Sequence, residues 1–166
     1  MSKKITIDIL DDESIQDGIK ELLRYKEWVL EKEKELRIRL AEYGAEVADI
    51  YFNDVAYAGN SNITVRVDDT GSVAVIYAEG QAVAFIEFGA GGLYGYGHPQ
   101  ASQFGFGPGT WSDGPEGKGH WNDPNGWYYA HGKHTYGNRP AMAMYRAVQY
   151  MLEDLTDIAK EVFGSK

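Results

Sequence analysis

From Ile15 to Ile50 apolar side chains recur at steps of three, four or seven residues: Ile15, Ile19, Leu22, Val29, Leu36, Leu40, Tyr43, Val47 and Ile50. That spacing keeps them on one face of an α-helix and is close to a heptad seam. An unbroken helix from Asp12 to Tyr51 would be roughly 60 Å long, more than the core of a small domain can cover. Either the helix lies on its own sheet with part of it uncovered, or part of the seam packs against a neighbouring subunit. Gly44 is the position where it could kink or split. Asp11, Asp12, Glu13 and Ser14 offer N-cap oxygens, and Ser14 with Asp17 forms a loose capping box. The run Glu31-Lys32-Glu33-Lys34-Glu35 reads as a solvated face with mixed i,i+4 pairing.

Shorter elements surround this helix. Ile5, Ile7 and Ile9 alternate with polar residues and predict a short strand. Ile63, Val65 and Val67 alternate likewise, Asp69-Thr70-Gly71 turns the chain, and Ser72 to Ala78 and Ala82 to Phe88 complete a predicted three-strand antiparallel meander. After a long irregular stretch, Asn138-Arg139-Pro140 reads as a helix start. Ala141, Met144, Tyr145, Val148, Leu152, Leu155, Ile158, Ala159 and Val162 then share one apolar face, and Gly164 ends it. The expected fold is α+β: one domain over residues 1–166, with a long N-terminal and a C-terminal helix on a small antiparallel meander. Residues 89–137 form a long loop insertion within it.

That insertion holds all four histidines and three of the four tryptophans, Trp111, Trp121 and Trp127, among many glycines. Glycine and large amphipathic rings suit a surface moulded onto a partner, and a structureless loop of this length is improbable in a small domain without such a purpose. The formal charge of −9 is unevenly spread. Residues 1–60 carry nine Lys/Arg against fourteen Asp/Glu, but 89–137 carry two against three. A nearly neutral aromatic segment does not track phosphates, so no specific nucleic-acid binding is expected. The absence of cysteine excludes disulfides and thiolate metal sites. The opening residues lack the apolar run of a signal peptide and no stretch reads as a membrane span, so a soluble, cytosolically made protein with no membrane partner is expected.

Chemistry-bearing motifs are weak. His120, Asp123, His131 and His134 could suggest a metal-dependent hydrolase, but His131-x-x-His134 lacks the helix and glutamate of a zinc protease motif. Gly89-Ala90-Gly91-Gly92 resembles a phosphate loop without the Lys that such a loop requires. The sequence therefore predicts no enzymatic activity, no metal and no cofactor. Glu87, the one charge in an apolar run, reads as a solvent-facing strand-edge group, or as a partner for Lys118 or Lys133. An alternative function is a non-catalytic carbohydrate-binding module that stacks sugars on exposed Trp and Tyr.

Three stretches resemble the HK97 gp10-like family of tailed-phage neck and tail components. Ile86-Glu87-Phe88-Gly89 looks like that family's E-[FY]-G-T-G corner. His98-Pro99 and the stretch Gly119-His120-Trp121-Asn122-Asp123-Pro124-Asn125-Gly126-Trp127-Tyr128-Tyr129 look like its insertion. Thr135 to Ala141, leading into Met144-Tyr145-Arg146-Ala147, is similar to its T-x-G-x-P-A helix start. Ala90 stands where Thr is usual, and Met142-Ala143 replaces a common Arg-Pro, which removes an inter-subunit salt bridge. The resemblance implies a non-enzymatic virion protein at the head–tail junction, a ring-forming neck, tail-terminator or tail-completion component. Its partners would be further copies of itself, as a hexamer or dodecamer, and neighbouring head-closure and tail proteins. It would assemble in the host cytoplasm. The residues expected at subunit interfaces are Glu87, Phe88, Trp111, Trp121, Trp127, Tyr128, Tyr129 and Arg139.

Overall fold

A computed structural model describes residues 4–55, 62–91, 97–104, 125–128 and 134–164, with Trp127 as backbone only. The fold is α+β, with a long N-terminal helix, an antiparallel hairpin and a C-terminal helix. Helix α1 runs over Asp12–Asn53, 42 residues without a break. Asp11 caps it by accepting the Glu13 N–H at 3.1 Å. The predicted strand at Ile5–Ile9 does not form. Its backbone turns instead onto the helix start, where the Asp8 N–H donates to Ser14 Oγ at 2.8 Å. Ile7 lies over Gly18, where an added Cβ would sit 2.6 Å from Ile7 Cδ1.

Gly44 neither kinks nor splits α1. An added Cβ there would meet Met151 Sδ at 2.5 Å and Ile76 Cδ1 at 2.7 Å, so this glycine lets the closing helix and the hairpin both touch α1. The obstructing atoms are tips of flexible side chains. Gly44→Ala should therefore be near neutral, because Met151 can yield and alanine gains about 1 kcal/mol of helix propensity. Gly44→Leu should lose about 1–3 kcal/mol by overpacking, read from denaturant midpoints of the two variants.

Strands β1 (Thr64–Asp69) and β2 (Ala74–Glu79) pair antiparallel with Val67 opposite Ile76 and Val65 opposite Ala78. Along β1 the residues alternate strictly between exposed and half-buried, which places Val65 and Val67 toward α1. Arg37 of α1 clamps the turn: its Nε donates to Asp69 Oδ1 at 3.1 Å and a terminal nitrogen donates to the Gly71 carbonyl at 2.8 Å. The Arg37 hydrogen bond, helped by the Gly71 N–H, holds the Asp69 carboxyl below the usual carboxylate range. A depressed folded pKa stabilises the fold above about pH 4 and that contribution fades as pH falls through the lower folded value. Acidification should thus strip exchange protection from the Thr70 N–H, which donates to the Val73 carbonyl. Arg37→Gln should already show weakened protection there at neutral pH.

The predicted third strand is a helix, α2 (Val83–Phe88). Val, Phe and Ile favour strands, but a strand points neighbouring residues to opposite faces. Here Ile86 and Glu87 are both buried, as is Ala82 one turn earlier, and only a helical turn directs all three inward. The closing helix α3 covers Ala143–Gly164. It packs antiparallel on α1: the Tyr51 and Tyr150 hydroxyls lie 3.3 Å apart, Tyr43 donates to Asp154 at 2.5 Å, and the Trp28 and Phe163 rings meet at 5.9 Å. The Asp154 bond, reinforced by burial, pushes the Tyr43 phenol up to about 12.

Val47, Ala48 and Phe52 of α1 join Ala82, Ile86, Ala141, Ala143 and Ala147 in the core, which therefore sits at the C-terminal end of α1. Residues 12–27, roughly 24 Å of helix, extend past the Trp28–Phe163 contact. The predicted apolar face of α3 is divided. Of its residues Ala141 and Val162 are buried, whereas Val148, Leu152 and Leu155 remain 47%, 63% and 38% exposed; Ala143 and Ala147, which the predicted face omits, are buried as well. Small residues take the side facing α1 because they allow close helix approach, and the larger ones lie one stripe away. Among the described residues, no helix is long and apolar enough to cross a membrane.

Candidate functional site at the base of the insertion

The segment Pro140-Ala141-Met142-Ala143 leading into α3 supplies no side-chain oxygen to cap the helix, and its first turn holds no acidic residue. Glu87 at the end of α2 fills that role from across the fold. Its Oε2 accepts the Met144 N–H at 2.9 Å and its Oε1 accepts the Tyr145 N–H at 3.1 Å. A carboxylate is well suited to this end of a helix, where unpaired N–H groups and the macrodipole both favour negative charge. The two helix ends serve each other. The carbonyls of Ile86 and Glu87, otherwise unpaired at the end of α2, accept the N–H groups of Ala141 at 2.8 Å and Met142 at 3.2 Å. Met142 takes a positive φ of 55° to make this junction.

His98 completes the joint. Its Nε2 lies 3.1 Å from Glu87 Oε1, and its Nδ1 accepts the Gln100 N–H at 3.1 Å, which places the ring proton on Nε2. Both side chains are withdrawn from solvent, at 5% for Glu87 and 8% for His98. The expectation of an exposed strand-edge carboxylate is thereby corrected: a helical α2 turns Glu87 inward, where it has three donors. Lys118 and Lys133, the alternative partners, lie outside the described residues.

Beside this joint the insertion leaves and returns at one point. Ala90 and Asn138 exchange backbone hydrogen bonds at 2.9 Å in both directions, and the Asn138 side-chain amide donates to the Phe85 carbonyl at 2.8 Å. Gly89, Gly91 and Gly137 all have positive φ. Each approaches backbone so closely that a Cβ would collide: Gly89 with Pro140, Gly91 with the Tyr136 carbonyl, and Gly137 with the Ala90 carbonyl. The glycines here are required by contact between chain segments, as well as by local turn geometry.

Of the residues expected at interfaces, Glu87 lies inside this joint and Phe88 packs half-buried against His98, with ring centroids 4.5 Å apart, and against Phe104. Arg139 is exposed at the edge of the joint. Tyr128 is 71% exposed and stands edge-on to His134, which in turn meets Tyr136. Trp127 lies in strand β3 (Trp127–Tyr128), paired with β4 (His134–Thr135). Trp111, Trp121 and Tyr129 lie outside the described residues, as do His120, Asp123 and His131 of the considered metal set. Among the described residues no group of three or more His, Asp or Glu is placed to hold a metal ion.

The joint also floors a groove of about 440 Å³, lined by Val83, Phe88, Phe104, Met144, Tyr145 and Val148 among others. Its walls are mostly apolar. The carboxylate and imidazole beneath it are engaged with backbone N–H groups and with each other, an arrangement that fixes two helices and a loop in place. Comparison with protein-family models, with curated proteins and with solved structures found no match for this chain.

Proposed function

We propose that the protein is a non-enzymatic, self-associating structural component of a tailed-phage virion, ring-forming and located at the neck or tail end. The observation that carries this reading is the meeting of its sequence punctuation at one joint. Glu87, Gly89, His98, Asn138 and Pro140, which belong to the three stretches resembling neck and tail components, converge on the base of the insertion. They act there as architecture, holding the insertion against the α2–α3 junction. The uncovered apolar residues of α1 and α3 supply a second support, since exposed apolar patches rimmed by polar residues mark contact surfaces.

Mass measurement across a concentration series tests the reading. Closed assemblies of six or twelve copies at high concentration are the expected result. A strictly monomeric chain at all concentrations, combined with glycan binding, would replace it with the carbohydrate-module alternative. Localisation of the subunit in virion necks by electron microscopy then decides the layer.

A further inference from the structure

The segment from Lys4 to Ile9 keeps the alternation of a strand, with Ile5, Ile7 and Ile9 between Lys4, Thr6 and Asp8, yet among the described residues no strand lies beside it. Ile7 and Ile9 are 39% and 80% exposed. The β1–β2 hairpin has the converse shortage, since among the described residues it is a sheet of two strands. The Thr70 N–H donates to the Val73 carbonyl, so by alternation Asp68–Val75 and Arg66–Tyr77 are the pairs that exchange ladder hydrogen bonds. The N–H and C=O groups of Val65 and Val67 therefore point out of the hairpin, and among the described residues no backbone group meets them. β2 is the strand beside α3, because Ile76 and Met151 close on Gly44 together and Ala78 shares the groove with Met144 and Val148. β1 is thus the open edge, and an open edge is a template for another strand.

We propose, resting on the self-association reading above, that Lys4–Asp8 of one copy joins β1 of the next copy as an antiparallel third strand, with Ile5 opposite Val67 and Ile7 opposite Val65. This register closes the outward N–H and C=O groups of β1, and it sets both isoleucines on the α1 side of the sheet beside the half-buried Val65 and Val67. The donor's helix start stays intact. Asp8 falls at a position whose N–H points away from β1, so it keeps its bond to Ser14 Oγ. Charge fixes the direction: Lys4 and Asp68 are exposed, and among the described residues neither has an ion-pair partner in its own molecule. Antiparallel pairing sets these two opposite each other, whereas a parallel strand with the same isoleucines inward would set Asp8 opposite Asp68.

Reach fixes which copy is involved. Val67 pairs with Ile76, which lies against Gly44, roughly 48 Å along α1 from Asp12. Ile5 can stand at most about 25 Å from Asp12 in a fully extended chain, so no molecule can serve its own edge. Because the segment and the edge are different surfaces and every copy carries both, the contact is heterologous, the type that closes into rings. Two such segments paired with each other would stop at a dimer and leave every β1 edge open.

The chain has no cysteine, so introduced thiols report only their own positions. In the proposed register Thr6 and Arg66 face each other at a non-hydrogen-bonded pair, where side chains come close enough for a disulfide. Thr6→Cys and Arg66→Cys would be oxidised separately, as a mixture, and together in one chain. Expected are no product from either single variant, a disulfide dimer from the mixture, and a ladder extending beyond dimer from the double variant. Bonding of Thr6→Cys to itself, its preference for Tyr77→Cys on β2, or an assembling mixture without any product would each overturn the proposal. Lys4→Glu should raise the concentration needed for assembly about fivefold at low salt, and Asp68→Lys in the same chain should restore it. Ile7→Pro removes an N–H that has no partner among the described residues of the monomer. Assembly unchanged in that variant, with unchanged circular dichroism, would overturn the proposal while leaving the self-association reading standing. A parent chain that never exceeds monomer mass would remove both.

Discussion

Glu87→Ala should destabilise the protein by about 3–5 kcal/mol, a large share of the stability of a domain this size, with the loss centred on the start of α3. The truncation strands three buried donors at once: the Met144 N–H, the Tyr145 N–H and His98 Nε2. Each unsatisfied buried donor costs about 1–3 kcal/mol, and water entering the space left behind recovers part of that. Glu87→Gln is the informative companion. Its amide oxygen can still accept one or two N–H groups, but its NH₂ then faces a donor where the carboxylate presented an acceptor, so about half of the loss is expected. Thermal and denaturant midpoints give the total. Amide exchange at Met144 and Tyr145 gives the location, because capping loss accelerates those two amides ahead of the middle of α3. Equal protection in Glu87→Gln and the parent would show that negative charge is dispensable at this helix start.

The parts of the fold legible in the sequence were those with long-range periodicity. α1 declares itself because its apolar spacing persists over about ten helical turns, and the β1–β2 hairpin because the alternation from Ile63 to Asp68 runs into Asp69-Thr70-Gly71 and an apolar run follows the turn. The Ala82–Phe88 segment misleads, since seven residues rich in Val, Phe and Ile fit a strand as well as a helix, and the deciding fact is tertiary: Ile86 and Glu87 are both needed inside. Ile5–Ile9 misleads for a related reason, as alternation describes a strand only when a partner strand is available. Amphipathicity located the apolar residues of α3 but could not say which of them α1 would cover. It therefore followed the exposed Val148–Leu152–Leu155 stripe and passed over Ala143 and Ala147, small residues that are buried. The Glu87–His98 joint did leave a trace. A helix start without a cap oxygen of its own implies a donor-satisfying group from elsewhere, and a lone carboxylate in an apolar run is a candidate for it. Pairing the two required knowing that α2 ends beside α3, which no local pattern encodes.

Gly137→Ala should be the most disruptive of the glycine substitutions, and Gly71→Ala isolates the reason. The two glycines have nearly the same backbone angle, with φ of 96° and 90°. A Cβ at Gly71 meets nothing within 4 Å, so alanine there pays only for an unfavourable φ, about 1 kcal/mol. At Gly137 the Cβ would overlap the Ala90 carbonyl and lie 2.9 Å from Gly91 Cα. Those are backbone atoms, so no side chain can swing aside. The chain must instead separate Ala90 from Asn138, losing both hydrogen bonds between them and drawing the Asn138 amide from the Phe85 carbonyl. The expected loss exceeds about 3 kcal/mol for the base of the insertion. The main α1–α3 contacts lie outside this base, along α1 from Trp28 to Tyr51, and they should persist. Far-ultraviolet circular dichroism should therefore change little, while exchange protection at Ala90 and Asn138 collapses. If Gly137→Ala and Gly71→Ala proved equally mild, the insertion could not be held by the backbone contact described, and its anchorage would rest on Glu87 and His98 alone.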